Sequence, residues 1–200
     1  MPDVSRIDTT TVEAAAATLA AAFSDDPIFL WLNRGKPVAD RPARRGFQVV
    51  VEGELRKEHP ELFVTDGAGS VAIWHGVDDW KGSTVESIRS LPAFTRAFGI
   101  GLPRVLRLLS TIERVHPREP HYHLAYVGTH PDRQGHGLGT SVLAPMLERC
   151  DTEGLPAYLE NSKPRNEAFY VRHGFVSTGP IPLPEGAPPM MAMWREPRSR

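Results

Sequence analysis

Hydrophobic positions along the chain fall into helical and strand-like stretches that alternate without an internal repeat. From about 11 to 24 an alanine-rich run predicts a helix, because alanine has the highest helix propensity and Thr10 or Thr11 can cap its start. Asp25-Asp26-Pro27 ends it, since the residue before proline avoids the α region, and an apolar run at 28–32 comes next. Phe47, Val50, Val51 and Leu55 share a helical face and predict a helix over about 42–58. Two short β-prone runs, 61–65 and 70–74, flank Asp66-Gly67-Ala68-Gly69, which is a hairpin signal. Ser83-x-x-Glu86 has capping-box spacing and opens a helix over Ile88, while Pro92, Gly99, Gly101 and Pro103 break up the segment beyond it. Pro103 suits the first turn of a helix carrying Val105, Leu108, Leu109, Ile112 and Val115.

The second half is more regular. After a linker, His116-Pro117-Arg118-Glu119-Pro120, residues 122–129 predict a strand. A glycine-rich turn leads into a helix to about 153, in which Pro145 removes one hydrogen bond and is expected to kink the axis. A strand at 156–161 and a polar loop precede a short helix from about Asn166, ended by Gly174 as a left-handed cap. Strands at 175–181 and 190–194 complete the chain. That order predicts a mixed α/β arrangement around one sheet.

Length, charge and cysteine content narrow the function. Two hundred residues predict one domain over 1–200, and 40% apolar residues can fill its core. Basic and acidic side chains number 23 and 24, a net charge of −1, which argues against a nucleic-acid partner because phosphate contacts need a basic excess. Cys150 is the sole cysteine, which excludes an intrachain disulfide and a cysteine-built zinc site and suits the cytoplasm. Residues 1–10 lack the basic start and apolar core of a secretory signal. The alanine-rich stretch at 14–23 falls short of the ~20 residues a spanning helix needs, so no membrane partner is expected.

Chemistry concentrates in Val127-Gly128-Thr129-His130-Pro131-Asp132-Arg133-Gln134-Gly135-His136-Gly137-Leu138-Gly139-Thr140. A strand ends, a polar turn intervenes, and glycines at alternate positions open a helix. Glycine admits positive φ and close approach of a ligand to the backbone. First-turn amides lack intrahelical partners and sit at the positive end of the macrodipole. The pattern therefore predicts a site for a phosphate or pyrophosphate, with Arg133 and His136 adding charge. The pattern GxxxxGK[ST] is absent, and Gly135-x-Gly137 is followed by Thr140 where GxGxxG needs a third glycine. Taken alone, the glycines fit equally well a turn that only packs a helix on a strand.

They do not stand alone. Gln134-x-x-Gly137-x-Gly139 resembles the acetyl-coenzyme A signature (Q/R)xxGx(G/A) of the GNAT acyltransferase superfamily. Asn166-Glu167-Ala168-Phe169-Tyr170-x-x-x-Gly174-Phe175 resembles the second landmark of that superfamily, in register. Two motifs joined by a helix and a strand are far more specific than one, and the match covers 122–194 well. Further segments, among them Val71-Ala72-Ile73-Trp74, Arg118-Glu119-Pro120 and Tyr158-Leu159-Glu160-Asn161-Ser162, are similar to puromycin N-acetyltransferase-like proteins; 78–110 matches poorly. The resemblance implies an α/β (α+β) GNAT fold whose central, mostly antiparallel sheet splays at the cofactor strand and is flanked by helices. A cofactor-binding core at about 121–196 and a variable acceptor-side region at about 78–115 are its expected parts.

Chemically, the resemblance implies direct transfer of an acetyl group from acetyl-coenzyme A to a primary amine of a small molecule, by a monomer or homodimer. A protein or peptide acceptor, or a non-catalytic acetyl-CoA-binding module, are the alternatives. Backbone amides of Gly135, His136, Gly137, Leu138, Gly139 and Thr140, with Gln134, are the expected pyrophosphate cradle. Val127, Gly128 and Thr129 are expected to pair with the pantetheine arm, the Val127 N–H facing the thioester oxygen. Tyr170 is the expected general acid, and Asn166 is expected to cap its helix and touch the cofactor arm. Glu160 is the candidate general base, on the expectation that burial raises its pKa, with His75 or a water chain as rivals. His121 and His123 alternate onto one strand face and can relay protons; with no third ligand in view they are read as structural and no metal is expected. Of the aromatic residues Phe29, Trp31, Trp74, Trp80, Tyr122 and Tyr126, Trp31 and Trp74 are the candidate acceptor contacts, and Asp25 and Asp26 are candidates to attract a cationic amine.

Overall fold

A computed structural model describes residues 2–37, 40–77, 79 and 102–198. In chain order its elements are β1 (Val4–Arg6), α1 (Val12–Ala22), α2 (Pro27–Leu32), α3 (Asp40–Leu55), β2 (Glu61–Thr65), β3 (Ser70–His75) and α4 (Leu102–Val115). After these come β4 (Tyr122–Thr129), α5 (Leu138–Glu153), β5 (Ala157–Asn161), α6 (Glu167–Arg172), β6 (Val176–Pro180) and β7 (Met191–Arg195). The strands form one seven-stranded sheet in the order β1-β2-β3-β4-β5-β7-β6. All neighbours run antiparallel except β4 and β5, and helices flank the sheet as expected of a GNAT fold.

Strand alternation divides the core into two. Leu62, Val64, Val71 and Ile73 point to one face, where they meet Leu19 and its neighbours on α1 and Phe47 and Val51 on α3. Phe63, Ala72 and Trp74 point to the other and meet Val142, Leu143 and Met146 of α5. Each fully buried aliphatic side chain in these layers contributes ~1.5–3 kcal/mol relative to exposure. A third cluster joins Ile28 and Leu32 of α2 to Val105 and Leu108 of α4 and to Ile181 and Met190 beside the last strands.

Several local expectations are refined. The apolar run at 28–32 is helical because the carboxylate of Asp26 caps α2, accepting from the N–H of Ile28 at 2.9 Å and of Phe29 at 3.2 Å. At α1 no threonine caps the helix; Asp8 instead accepts from the N–H of Thr10 and Thr11 and holds the preceding turn. β1, too short to show alternation, is held by pairing with β2. α5 continues through Pro145. Gly174 takes φ 94° after α6, with Phe175 N–H donating to Tyr170 C=O at 3.1 Å and Gly174 N–H to Val171 C=O at 2.9 Å, the 6→1 closure of a left-handed helix end. The capping box at Ser83 and Glu86, Trp80, and the breaks at Pro92, Gly99 and Gly101 lie outside the described residues.

Candidate active site

β4 changes character halfway along. Its N-terminal end pairs with β5 at Tyr122↔Ala157 and His123↔Tyr158, and no farther. Against β3 the register jumps from Trp74↔Leu124 to Ile73↔Tyr126, leaving Ala125 as a bulge. A bulge shifts the strand's parity by one. Tyr122 N–H donates to Pro156 C=O at 2.9 Å on the β5 side. Downstream, Gly128 C=O accepts from Ser70 Oγ at 3.2 Å and His130 N–H donates to Gly69 C=O at 2.9 Å, both on the β3 side. Even-numbered residues have changed sides. By alternation the backbone groups of Val127 and Thr129 then face the gap left by the divergence of β4 from β5.

A cleft of about 570 Å³ occupies that gap. Val127, Gly128 and Thr129 line one side, and Gln134, Gly135, Gly137, Leu138, Gly139 and Thr140 line its mouth. Gly135 and Gly137 have φ of 81° and 77°, and a Cβ at either would meet nothing within 4 Å, so conformation and not crowding calls for glycine there. At Gly139 a Cβ would sit 3.2 Å from the Phe169 ring, and at Gly128 it would sit 2.8 Å from Ala22 Cβ of α1. The first intrahelical bond of α5 is Ser141 N–H to Gly137 C=O at 3.0 Å, so the amides ahead of it have no intrahelical partner. Arg133, Lys163, Arg165 and Arg172 also line the cleft. These donors fit a diphosphate-bearing ligand, and the unpaired edge of β4 fits an extended arm beyond it. His136 contributes differently from expectation. Its ring folds back, Nδ1 lying 2.8 Å from Gln134 C=O, and it is not among the cleft-lining residues.

Tyr170 and Glu160 both line the cleft. Tyr170 is buried on α6 with its ring edge-on to Phe169 and Phe175 at 5.3 and 6.1 Å, and among the described residues its hydroxyl has no hydrogen-bond partner. Burial, reinforced by the charge of Asp26, pushes its phenol pKa well above the usual value. Asp26 is itself buried, capping α2 with one oxygen and accepting from Ser162 Oγ with the other.

Glu160 corrects an expectation. Burial acts to raise its pKa, but His123 Nε2 at 2.8 Å and His116 Nδ1 at 3.6 Å outweigh it and hold the carboxyl well below the usual range. A carboxylate held ionised is a weak base and a good anchor for a cation. His75 is directed to α3, Nε2 lying 3.2 Å from Glu54 Oε1, and does not line the cleft. His121 and His123 do share a face, and His116 and Glu160 join them there.

Other candidates are reassigned by packing. Trp74 is 1% exposed inside the core facing α5, because its β3 position points to that layer. Trp31 packs beside the cluster between α2 and α4, with the Arg104 guanidinium 5.7 Å from its ring. Neither lines the cleft. Asp25 is taken by Lys163 Nζ at 2.5 Å and by Arg165, leaving it no free charge for an amine. Asn166 lines the cleft but makes no side-chain cap, its backbone being already helical at φ −85°. Sequence reading missed Ser162, Lys163, Arg165 and Arg172 as cleft residues; the basic Lys163-Pro164-Arg165 next to an expected phosphate ligand was the available signal. Nothing in the linker around His116 marks it as a partner of Glu160.

The model of the acetyltransferase (GNAT) family matches residues 104–175, which run from α4 through the glycine-rich turn to just beyond α6. An uncharacterized N-acetyltransferase of Schizosaccharomyces pombe is 29% identical over 209 residues, covering 97% of this chain and 83% of that protein. The crystal structure of a histone acetyltransferase HPA2 and related acetyltransferase from Corynebacterium glutamicum superposes with a TM-score of 0.69 at 25% identity, covering 100% of this chain and 98% of that one. The ribosomal-protein-S18-alanine N-acetyltransferase of Escherichia coli shares the fold, with a TM-score of 0.56 at 16% identity over 100% of this chain and 96% of that one. No described helix is long and apolar enough to cross a membrane. With this fold, this cleft and the matched segment lying across both, the chain has the GNAT fold and is similar to acetyltransferases of that family.

Proposed function

We propose that the chain, acting as one domain, moves the acetyl group of acetyl-coenzyme A to the primary amine of a small molecule by direct attack. The observation that carries this reading is the β4–β5 gap, where the free backbone edge of Val127 and Thr129, the Tyr170 hydroxyl and the Glu160 carboxylate share one cleft. Amides of residues 135–140 would hold the pyrophosphate, and the β4 edge would hold the pantetheine arm. When bound, acetyl-coenzyme A supplies an acetyl thioester. The Val127 N–H stabilises negative charge developing on the carbonyl oxygen, worth ~3 kcal/mol in comparable oxyanion sites. Tyr170, kept protonated by burial, gives its proton to the departing sulfur. Glu160 attracts the amine. Cys150, the sole thiol, is buried in α5 and its pKa is pushed up to about 12, so it offers no thiolate for a covalent acyl-enzyme route.

Bonds across the rims support a compact acceptor. Ser162 binds Asp26, and Lys163 and Arg165 bind Asp25, tying the β5–α6 loop to the α1–α2 turn. The test is release of free thiol with aliphatic, arylalkyl and nucleoside-type amines beside a peptide with a free N-terminus. Turnover on a small amine is expected. Turnover on the peptide alone, or acetyl-coenzyme A binding without turnover on any amine, overturns the reading.

A further inference from the structure

Four of the eight histidines gather on the α1–α3 face of the sheet, where β4 and β5 are still paired. Ring centroids lie 4.8 Å apart for His116 and His123, 5.0 Å for His116 and His121, and 5.3 Å for His75 and His123. His116, His121 and His123 are buried, and Glu160 reaches the same spot from β5.

The hydrogen bonds among them settle where the ring protons lie. His121 Nδ1 is 2.6 Å from Glu119 C=O; a carbonyl only accepts, so that nitrogen carries a proton. In the neutral ring His121 Nε2 is then an acceptor, and His116 Nε2, 3.0 Å away, is its donor. His116 Nδ1 faces Glu160 Oε1 at 3.6 Å. Among the described residues no lysine or arginine pairs with Glu160. The second carboxylate oxygen lies 2.8 Å from His123 Nε2. One ligand atom from each of His116, His123 and Glu160 lies within 4.8 Å of the others.

We propose that His116, His123 and Glu160 form a binding site for a divalent transition-metal ion of the zinc class, with His121 orienting His116 from behind. Two imidazoles and one carboxylate are a common zinc donor set and leave a fourth position for water. Tetrahedral bonds of about 2.1 Å would place the three ligand atoms about 3.4 Å from one another, a contraction of about 1.4 Å at most from the present spacing within 4.8 Å. Metal-bound histidines characteristically donate their other ring N–H to an acceptor, which fixes tautomer and orientation; His116 does so to His121, and His121 in turn to Glu119 C=O. The ion cancels the carboxylate charge and fills the space between Nδ1 and Oε1. A loaded site commits Glu160, which also lines the cleft, so metal is expected to slow acetyl transfer; that consequence rests on the proposed reaction, whereas the site does not.

The test uses the full chain stripped with EDTA and titrated with Co²⁺, read by visible absorption, and with Zn²⁺, read by calorimetry. One equivalent is expected to bind, with the visible d–d bands of four-coordinate cobalt, displaced by zinc, and with a zinc-dependent rise in melting temperature. H116A, H123A and E160Q should each weaken binding by about a hundredfold or more, and H121A by about 10–100-fold. H59A, at an exposed histidine, should bind as the parent does. Absence of one-equivalent binding in the parent chain overturns the proposal and leaves a proton on His116 Nδ1 as the bridging cation. Cobalt bands that persist unchanged in H116A and E160Q overturn it as well. Should a variant fail to fold, the parent titration still decides, because it needs no substitution.

Discussion

Replacing Tyr170 by Phe separates chemistry from folding unusually well in this structure. The hydroxyl has no protein partner among the described residues, and the ring packs between Phe169 and Phe175, contacts that Phe keeps. Removing an unbonded hydroxyl forfeits no internal hydrogen bond, so the stability change should stay within about 1 kcal/mol. The glycine-rich turn proposed to hold the pyrophosphate lies on another element, so cofactor affinity should hardly move. A lost general acid, by contrast, costs about 10²–10⁴ in rate, or about 2.7–5.4 kcal/mol at ~1.36 kcal/mol per tenfold. Steady-state thiol release gives kcat, calorimetry gives the acetyl-coenzyme A Kd, and a melting curve checks the fold. A kcat within twofold of the parent, at unchanged Kd, refutes the assignment. The phenol pKa also carries a sign: burial raises it, so Tyr170 keeps its proton through the usual tyrosine value of about 10. Its loss should therefore produce no downturn in rate between pH 8 and 10 in the parent enzyme.

Gly128→Ala should cost about 1–3 kcal/mol by overpacking, since the new methyl would stand 2.8 Å from Ala22 Cβ on α1; a chemical denaturation midpoint reads it. Gly137→Ala meets no neighbour but must hold φ near 77°, at about 1–2 kcal/mol, and should weaken acetyl-coenzyme A binding about tenfold by calorimetry. Asp151 has its pKa lowered by the hydrogen bond from Arg195, so its stabilisation is complete above the free value of 3.8 and drains away as pH falls through the lower folded value. Asp151→Asn should flatten that acid limb of the denaturation midpoint.

Most of the glycine-lined side of the cleft was legible because its signals are local. Glycine at positive φ, a strand end and a helix start occupy consecutive residues, so 127–140 announces its conformation. The same holds for Gly174, whose left-handed cap sets the end of the Tyr170 helix within four residues. The acceptor side depends on contacts distant in sequence. Glu160 is set by His116 and His123, more than thirty positions away, and burial alone gives the wrong sign for its pKa. Trp74 was misplaced for a related reason. Val71-Ala72-Ile73-Trp74 is apolar at every position, as a strand covered on both faces must be, so no alternation shows which layer the indole enters. Asp25 looked free because its partners, Lys163 and Arg165, lie well over a hundred residues further along the chain.

The bulge at Ala125 joins the two halves of the problem. Upstream of it, odd-numbered His121 and His123 share the face that holds Glu160, while Tyr122 and Leu124 enter the α5 core. An unbroken alternation would continue that assignment, sending Tyr126 into the α5 core and the backbone of Val127 into β3. One inserted residue instead turns Tyr126 toward Phe23 and Phe47 on the α1–α3 side, at 5.9 Å from each ring, and brings Gly128 under α1. It thereby leaves the Val127 N–H aimed at the gap. The buried histidine cluster beside Glu160 and the donor that faces the cleft thus sit on a single strand yet obey opposite parities. Neither site can be moved by one residue without dismantling the other. Tyr122, Leu124 and Tyr126 are all large and apolar, so the sequence pattern survives the parity change without a visible break.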